Sequence, residues 1–325
     1  MGAIAGLTGG TGHIGGLLLR RLLAEPDVAE VRSVARRPLP PLPGMPVEPV
    51  ARLVHTVADL RSDDARRALE GCDVVFHLAA QVWRGRQGVQ EMAAVNVQGT
   101  RSILRGAGAV VLASSAAVYG AWPDNPLPMA ELRLPRPNQE CPYAQQKLVA
   151  EEICAEQAQI FVIARLSAVL GPHADARVTR AVRGYRVAVP AVRGARQAVQ
   201  WMDEDDAVRG LVEMGRDLLG ARAASGQVIN LAPEDWLSAA DVARLARSRV
   251  IALPRRALIW SSELGRRVGI SPFGADRAVL VSGPLALSAR KAAQLLSWRA
   301  AKSSELVMSE ALARDWRQSP QNRQL

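Results

Sequence analysis

Short apolar runs alternate with helical patterns over the first two thirds of the chain. Ala3–Thr8 is an apolar run of strand length; after a glycine-rich turn, Leu17–Leu19 and Leu22–Leu23 repeat with helical spacing. Further runs at Glu30–Ala35, Leu53–Ala58, Asp73–Ala79, Ala109–Ala113, Gln159–Ala164 and Gln227–Leu231 read as six more strands. Asp73–Ala79 is apolar after its first residue but for His77, as a parallel strand buried on both faces should be. Helical patterns at Gln90–Gly106, Tyr143–Gln157 and Asp203–Leu219 fall between the later runs. This alternation predicts an α/β fold, a doubly wound Rossmann-type parallel sheet of about seven strands. Beyond the seventh strand the patterns are helical, at Ser238–Arg247, Leu258–Val268, Ser288–Leu296 and Ser304–Trp316. A smaller, helix-rich C-terminal substrate lobe is expected there. The expected division is 1–171 with 203–231 returning to it as dinucleotide-binding domain, and 172–202 with 232–325 as substrate lobe. Pro38–Pro49 holds six prolines and reads as a surface loop, as does the proline-rich segment 121–141.

The turn after the first strand reads Thr8-Gly-Gly-Thr-Gly-His-Ile-Gly15. Strand, glycine turn and helix in that order form the dinucleotide-binding fingerprint. Gly9 permits the tight turn, Gly12 lets backbone approach a pyrophosphate, and Gly15 lets helix and strand pack closely. The phosphates then sit at the positive end of the helix. At the end of the second strand, where a carboxylate would bind the ribose hydroxyls of NAD, the chain has Ala35, followed by Arg36 and Arg37. Guanidinium groups bind a 2′-phosphate that a carboxylate would repel, so NADP(H) is preferred over NAD(H). Two solvated arginines at a strand end would look the same in the sequence.

Tyr143-Ala-Gln-Gln-Lys147 places a phenol and an amine on one helical face. A tyrosine of ordinary pKa, about 10, is a poor acid or base near neutrality. A cation beside it favours the phenolate, and such a pair exchanges a proton with an oxygen on carbon. Taken alone, the spacing also fits a core tyrosine beside a surface lysine. Ligands of doubly wound sheets bind beyond the carboxyl ends of the strands, which brings Ser115 and the 121–141 loop to the border of the site. The acids Asp203, Glu204, Asp205 and Asp206 open a helix, and their expected role is capping.

Charge changes this picture little. The net charge is +10, but only three of the 41 basic residues are lysine, and the arginines are spread without a basic run. A general arginine bias accounts for them, and nucleic-acid binding is not expected. Three scattered cysteines and four scattered histidines point to neither a disulfide framework nor a metal site. No apolar run reaches membrane-spanning length and no leader pattern opens the chain, so a cytoplasmic protein without membrane contact is expected.

Together these residues resemble the extended short-chain dehydrogenase/reductase family, in the group of NAD(P)-dependent epimerases and dehydratases. The resemblance spans nearly the whole chain. It implies a cofactor loop at Gly9, Thr11, Gly12, His13, Ile14 and Gly15, an adenine-binding position at Asp59-Leu60, and a ribose-lining segment at Leu78-Ala79-Ala80. Asn96 is similar to a supporting position in the following helix. The end of the fifth strand, Ala113 and Ser114, and the segment Arg165 to Pro172 with Leu166, Ser167 and Val169 are implied to border the nicotinamide. Ser115, Tyr143 and Lys147 fall on the catalytic triad. Trp298 is similar to a tryptophan near the family's C-terminus. Related enzymes often dimerise through the helices around Gln90–Gly106 and Tyr143–Gln157, so a homodimer is possible.

The departures narrow the chemistry. Ala116 and Ala117 stand where dehydratases of the family carry an acidic pair, which argues against dehydration. Ala168 replaces an asparagine that faces a nucleotide-sugar diphosphate in many members, and an arginine of the same site aligns near Val199, although Arg196 could serve. A less polar small molecule is therefore expected, with Val82, Trp83, Trp122 and Trp201 as apolar candidates near the pocket, each of which would fit the core equally well. The favoured reading is an NADP(H)-dependent ketone reductase or secondary-alcohol dehydrogenase. The alternatives are an NAD-dependent sugar epimerase using the same three residues and a non-catalytic cofactor-sensing protein, against which the intact triad counts.

Overall fold

A computed structural model of the chain describes residues 2–40, 51–82, 88–269 and 273–313. β1 (Ala3–Thr8) leads into α1 (His13–Leu23), followed by β2 (Val28–Ala35), β3 (Arg52–Val57), α2 (Asp63–Ala68) and β4 (Val74–His77). Helices α3 (Gly88–Ala93) and α4 (Gly99–Leu104) are joined by a π-helical turn, Ala94–Gln98, which carries Asn96. β5 (Ala109–Ser115) runs into a 3-10 turn, Ala116–Tyr119; then come α5 (Pro142–Gln157) and β6 (Ile160–Leu166). The chain leaves the sheet through β7 (Ala168–Leu170), α6 (Ala176–Gly184), β8 (Ala188–Val192), β9 (Ala198–Val199) and β10 (Trp201–Asp203). It returns with α7 (Glu204–Leu219) and β11 (Gln227–Leu231). The rest is α8 (Ala239–Ala246), β12 (Arg249–Leu253), α9 (Arg255–Arg267), α10 (Ala275–Ala278), β13 (Pro284–Leu285), α11 (Arg290–Leu296) and α12 (Ser304–Ala313).

The central sheet has seven strands in the order β11-β6-β5-β4-β1-β2-β3, all parallel. The chain is thus wound outward from β1 in both directions, the expected doubly wound α/β sheet. β4, all four residues of it buried, sits between β1 and β5. On one face α1 and α7 pack over the sheet through Leu18, Leu19, Leu23, Leu211 and Met214. Each such fully buried aliphatic side chain contributes roughly 1.5–3 kcal/mol. On the other face α4 and α5 pack through Ile103, Leu104, Ile153 and Cys154. The small Ala150 and Cys154, 2% and 0% exposed, let α5 lie close to β5.

Helix ends follow local chemistry. Ser62 caps α2, Asp203 caps α7, and Ser238 forms a capping box with Asp241 at α8. Segments 172–202 and 232–313 contribute most of a separate apolar cluster in which Val182, Val189, Leu237, Val242, Val307 and Met308 meet. Beyond its helices this part contains short parallel ladders, β7 with β10, β8 with β12 and β9 with β13, which the helical patterns did not announce. Trp298, 1% exposed, ties the end of the chain back to the sheet: it packs in the α1–α7 cluster, and its indole N–H donates to the Asp206 carbonyl. Of the expected features, the end of the proline loop, Trp83 and Trp316 lie outside the described residues.

Candidate active site

The carboxyl ends of β1, β4, β5 and β6 converge on one edge of the sheet. After β1, Gly9 takes φ +81°, and a Cβ there would come within 2.9 Å of the Ala79 backbone. A Cβ on Gly15 would overlap the Gly9 carbonyl oxygen. Gly12 stands at the N-cap of α1 and offers no side chain to the first-turn N–H groups. Those donors, at the positive helix end, fit a pyrophosphate. Thr8, His77 and Thr100 brace the loop from below: His77 Nδ1 lies 2.8 Å from Thr8 Oγ1, and its Nε2 lies 2.9 Å from Thr100 Oγ1. The Thr8 hydroxyl also accepts the Ala79 N–H at 3.1 Å. Burial pulls the His77 imidazole down to about 3, so it is neutral in this bracket at neutral pH.

Asn96 holds the segment after β4. Its Oδ1 accepts the Gln81 N–H at 2.6 Å, and its amide donates to Gln81 O and to Gln146 Oε1 of α5. It is 3% exposed, so it fixes the 78–82 strip against α5 from within. At the adenosine end, Arg36 and Arg37 are both exposed past the last residue of β2. The Asp59 carboxylate is engaged by Arg61 through its backbone N–H, Nε and Nη2. Those bonds, with the charge of Arg36 in support, hold Asp59 below its ordinary pKa. The sequence reading had not singled out Arg61.

Ser115, Tyr143 and Lys147 come together where β5 meets α5. Pro142 opens α5 at its first turn, where no backbone N–H is needed, and brings Tyr143 in directly after it. Ser115 caps the 3-10 turn, accepting the Ala117 N–H at 3.2 Å, and its hydroxyl stands near enough to the Tyr143 phenol to favour the phenolate. Lys147 Nζ donates to the Ala113 carbonyl at 2.6 Å and lies 6.0 Å from the centre of the Tyr143 ring. Burial pulls this ammonium down to about 8, against the pull of Glu151 one turn further along.

The electrostatics differ from the expectation drawn from spacing. Burial pushes the Tyr143 phenol above its ordinary value. The cation that opposes this is Arg277, whose guanidinium carbon lies 5.1 Å from the centre of the Tyr143 ring. Arg277 comes from α10 and also donates to the Val82 carbonyl at 2.8 Å, spanning the tyrosine and the 78–82 strip. It lies 134 residues beyond Tyr143 (277 minus 143), and no local pattern marks it.

Beneath the trio, Glu151 receives Arg165 through Nε and Nη2, and the Ser114 hydroxyl as well. Glu151 and Arg165 are 5% and 4% exposed. Arg165 therefore anchors the end of β6 from inside. Further along the same segment the Ser167 hydroxyl is buried with no partner among the described residues, while Ala168 is exposed. Leu166 and Val169 are half-buried beside them.

Glu204 departs from the capping role expected of its run. Asp203 caps α7, but Glu204 reaches His13 Nε2 and His173 Nδ1, each at 2.6 Å, joining the cofactor loop to the segment after β7. Burial alone would raise its pKa; the two imidazoles outweigh that and hold it low. Trp201 packs against the C-terminal cluster and lines an apolar cleft with Tyr185, Val189 and Val199, a cleft that none of Ser115, Tyr143 and Lys147 lines. Val82 is half-buried under Arg277. Trp122 stacks on Arg136 of the proline-rich loop. Among the described residues no group of three or more His, Cys, Asp or Glu side chains is arranged to hold a metal, and no helix is long and apolar enough to cross a membrane.

Comparison with known proteins gives the family and the fold. A model of the NAD dependent epimerase/dehydratase family matches residues 5–232. The uncharacterized protein y4nG of Sinorhizobium fredii is 26% identical over 316 residues, 94% of this chain and 76% of that protein. A putative dihydroflavonol 4-reductase of Synechocystis is 31% identical over 176 residues, about half of each chain (51% and 49%). Among solved structures, UDP-glucuronic acid 4-epimerase from Bacillus cereus, in complex with UDP-glucuronic acid and NAD, superposes with a TM-score of 0.70 at 21% identity. That superposition covers 95% of this chain and 98% of the epimerase.

Proposed function

The chain belongs to the NAD dependent epimerase/dehydratase family and is an NAD(P)-dependent enzyme of the extended short-chain dehydrogenase/reductase type; from that premise we propose that it is an NADP(H)-dependent oxidoreductase that interconverts a ketone and a secondary alcohol. The observation that carries this reading is the meeting of Ser115, Tyr143 and Lys147 at the end of β5, above a glycine loop shaped for a dinucleotide. When bound, the nicotinamide cofactor supplies or accepts the hydride. In the reducing direction Tyr143 gives its phenolic proton to the substrate oxygen. Burial keeps that proton on the phenol until it is needed, and Arg277 steadies the phenolate left behind. Ser115 donates a hydrogen bond to the same substrate oxygen and stabilises its developing charge. Lys147, fixed by the Ala113 carbonyl, presents its charge to the cofactor ribose and to the tyrosine.

NADP(H) is the proposed cofactor. Ala35 removes the carboxylate that would take the ribose diol of NAD, while Arg36 and Arg37 put two guanidinium groups at the same strand end. The pairing of Arg61 with Asp59 leaves the field there positive. A charge-assisted hydrogen bond is worth roughly 1.5–3 kcal/mol, and 1.4 kcal/mol is about tenfold. The unmodified enzyme is therefore expected to bind NADPH at least about tenfold more tightly than NADH, and Arg36→Ala to narrow that gap while leaving NADH binding nearly unchanged. Titration of both cofactors followed by fluorescence measures this. Equal or tighter binding of NADH, together with micromolar binding of UDP by calorimetry, would replace this reading with a nucleotide-sugar epimerase. Weak UDP binding is expected because Ala168 presents only a methyl group where a diphosphate contact would stand.

A further inference from the structure

Helix α9 has two faces of opposite character. On its inner face Leu258 is buried, and Ile259 packs into the cluster that also holds Tyr143 and Val279. Its first residue, Arg255, bonds Glu140, two residues before α5 begins. On its outer face Trp260, Leu264 and Val268 recur every four residues, one above another along the helix, and are 68%, 44% and 59% exposed. Val250 and Ile251 on the preceding β12 are exposed as well. Twelve large apolar side chains are exposed among the described residues, and five of them fall within 250–268. A concentration of that kind on a soluble surface marks an interaction site.

The charges on the same helix name the partner. α9 carries four arginines and one glutamate, Glu263, a net charge of +3. Arg256 is exposed one turn before Trp260, and Arg267 is exposed beside Val268. A tryptophan and aliphatic stripe flanked by arginines is the composition of a helix that lies in the plane of a membrane interface. The indole seats at the headgroup level, and the guanidinium groups meet anionic phosphates. A second copy of this chain would bring the same positive charge to the contact. We propose that the outer face of α9 docks on an anionic lipid surface, as a peripheral contact that involves no spanning helix. With Ile259 packed beside Tyr143 on the opposite face, docking would set the tyrosine about one helix diameter, about 10 Å, from the lipid. The docking itself does not depend on the reductase reading.

The test is co-sedimentation of the full chain with vesicles of phosphatidylcholine alone and of phosphatidylcholine with phosphatidylserine. Partitioning is expected to be at least about tenfold stronger on the anionic vesicles and to fall as salt is raised. Trp260→Ser with Leu264→Ser should reduce it at least about tenfold, and Arg256→Gln with Arg267→Gln by a similar factor, with far-UV circular dichroism unchanged in both. Failure of the unmodified chain to bind anionic vesicles would overturn the proposal, as would full binding by the serine variant. A dimer in solution that Trp260→Ser dissociates would also overturn it and assign the stripe to a second copy. Capture by an acidic protein without any vesicle binding would assign it to a protein partner instead.

Discussion

Two helices border Tyr143, and each carries a glutamate held by arginine. On α5, Glu151 meets Arg165 in the interior, both about 5% exposed. On α9, Glu263 meets Arg266 and Arg267, with the arginine side chains 40% and 71% exposed. The bonds are similar and their consequences are not. Water solvates the α9 charges whether or not they are paired, so the pair adds little. In the interior the α5 pair has few other partners, Ser114 and Lys147 beside Glu151 and the Tyr119 ring under Arg165, so each charge depends on the other. The comparison shows where fixed geometry comes from: the site is held rigid by groups that have no alternative partner.

The largest test of that contrast is Glu151→Ala. It leaves Arg165 charged and uncompensated beneath the site, and a loss of about 3–5 kcal/mol in unfolding free energy is expected by denaturant titration. A loss under about 1 kcal/mol would mean that water reaches Arg165. Next is Tyr143→Phe, which keeps the packing of α5 and removes its proton. Turnover is expected to fall at least about a hundredfold with cofactor affinity retained; a near-normal rate would sink the mechanism.

Lys147 gives a third test through pH. Its folded pKa, about 8, lies below the ordinary 10.5. Between those values the unfolded chain holds a proton that the folded chain has lost, so stability rises with pH across that window. In the proposed mechanism ketone reduction uses the ammonium and should fall over the same window, by up to about tenfold per pH unit. Activity and stability thus move in opposite directions above pH 8, and Lys147→Met should abolish the rise in stability. Stability that falls across the window would show that the ammonium keeps its proton in the fold. The smallest effect expected is that of Arg266→Gln on α9, less than about 0.5 kcal/mol by thermal unfolding, even though Arg266 and its neighbours hold Glu263 down to about 2. A cost comparable with that of Glu151→Ala would erase the distinction between the two helices.

The sheet was legible because β1, β4, β5 and β6 are short, mostly apolar runs and Gly9, Gly12 and Gly15 announce what lies at its edge. The short ladders were not. β9 and β13 are two residues each, too short for any period, and their pairing is set by the bodies that bring them together. The spacing of Tyr143 and Lys147 revealed a shared face, but not that Lys147 would be buried or that desolvation would be the first cause of both pKa shifts. Glu151, a further turn along, continues the same spacing and would have signalled the buried network. Arg277 had no such signal, since its contact with Tyr143 is made only by the tertiary fold. Glu204 was hidden in a run of acids whose first member does cap the helix, and only its bonds to His13 and His173 set it apart.

The sheet order has a consequence for synthesis. β6 ends at Leu166, and β11, which pairs with it, begins only at Gln227, about 60 residues later. At roughly 5–20 residues per second, a ribosome needs roughly 3–12 s to cover that distance. Throughout that interval β6 is an outer strand whose backbone N–H and C=O groups have no neighbour on one side, with the apolar Val162-Ile163-Ala164 at its centre. Such an edge is a template for pairing with another chain. The nascent protein is therefore most open to aggregation while the ribosome is adding the segment between β6 and β11, and the arrival of β11 closes that window.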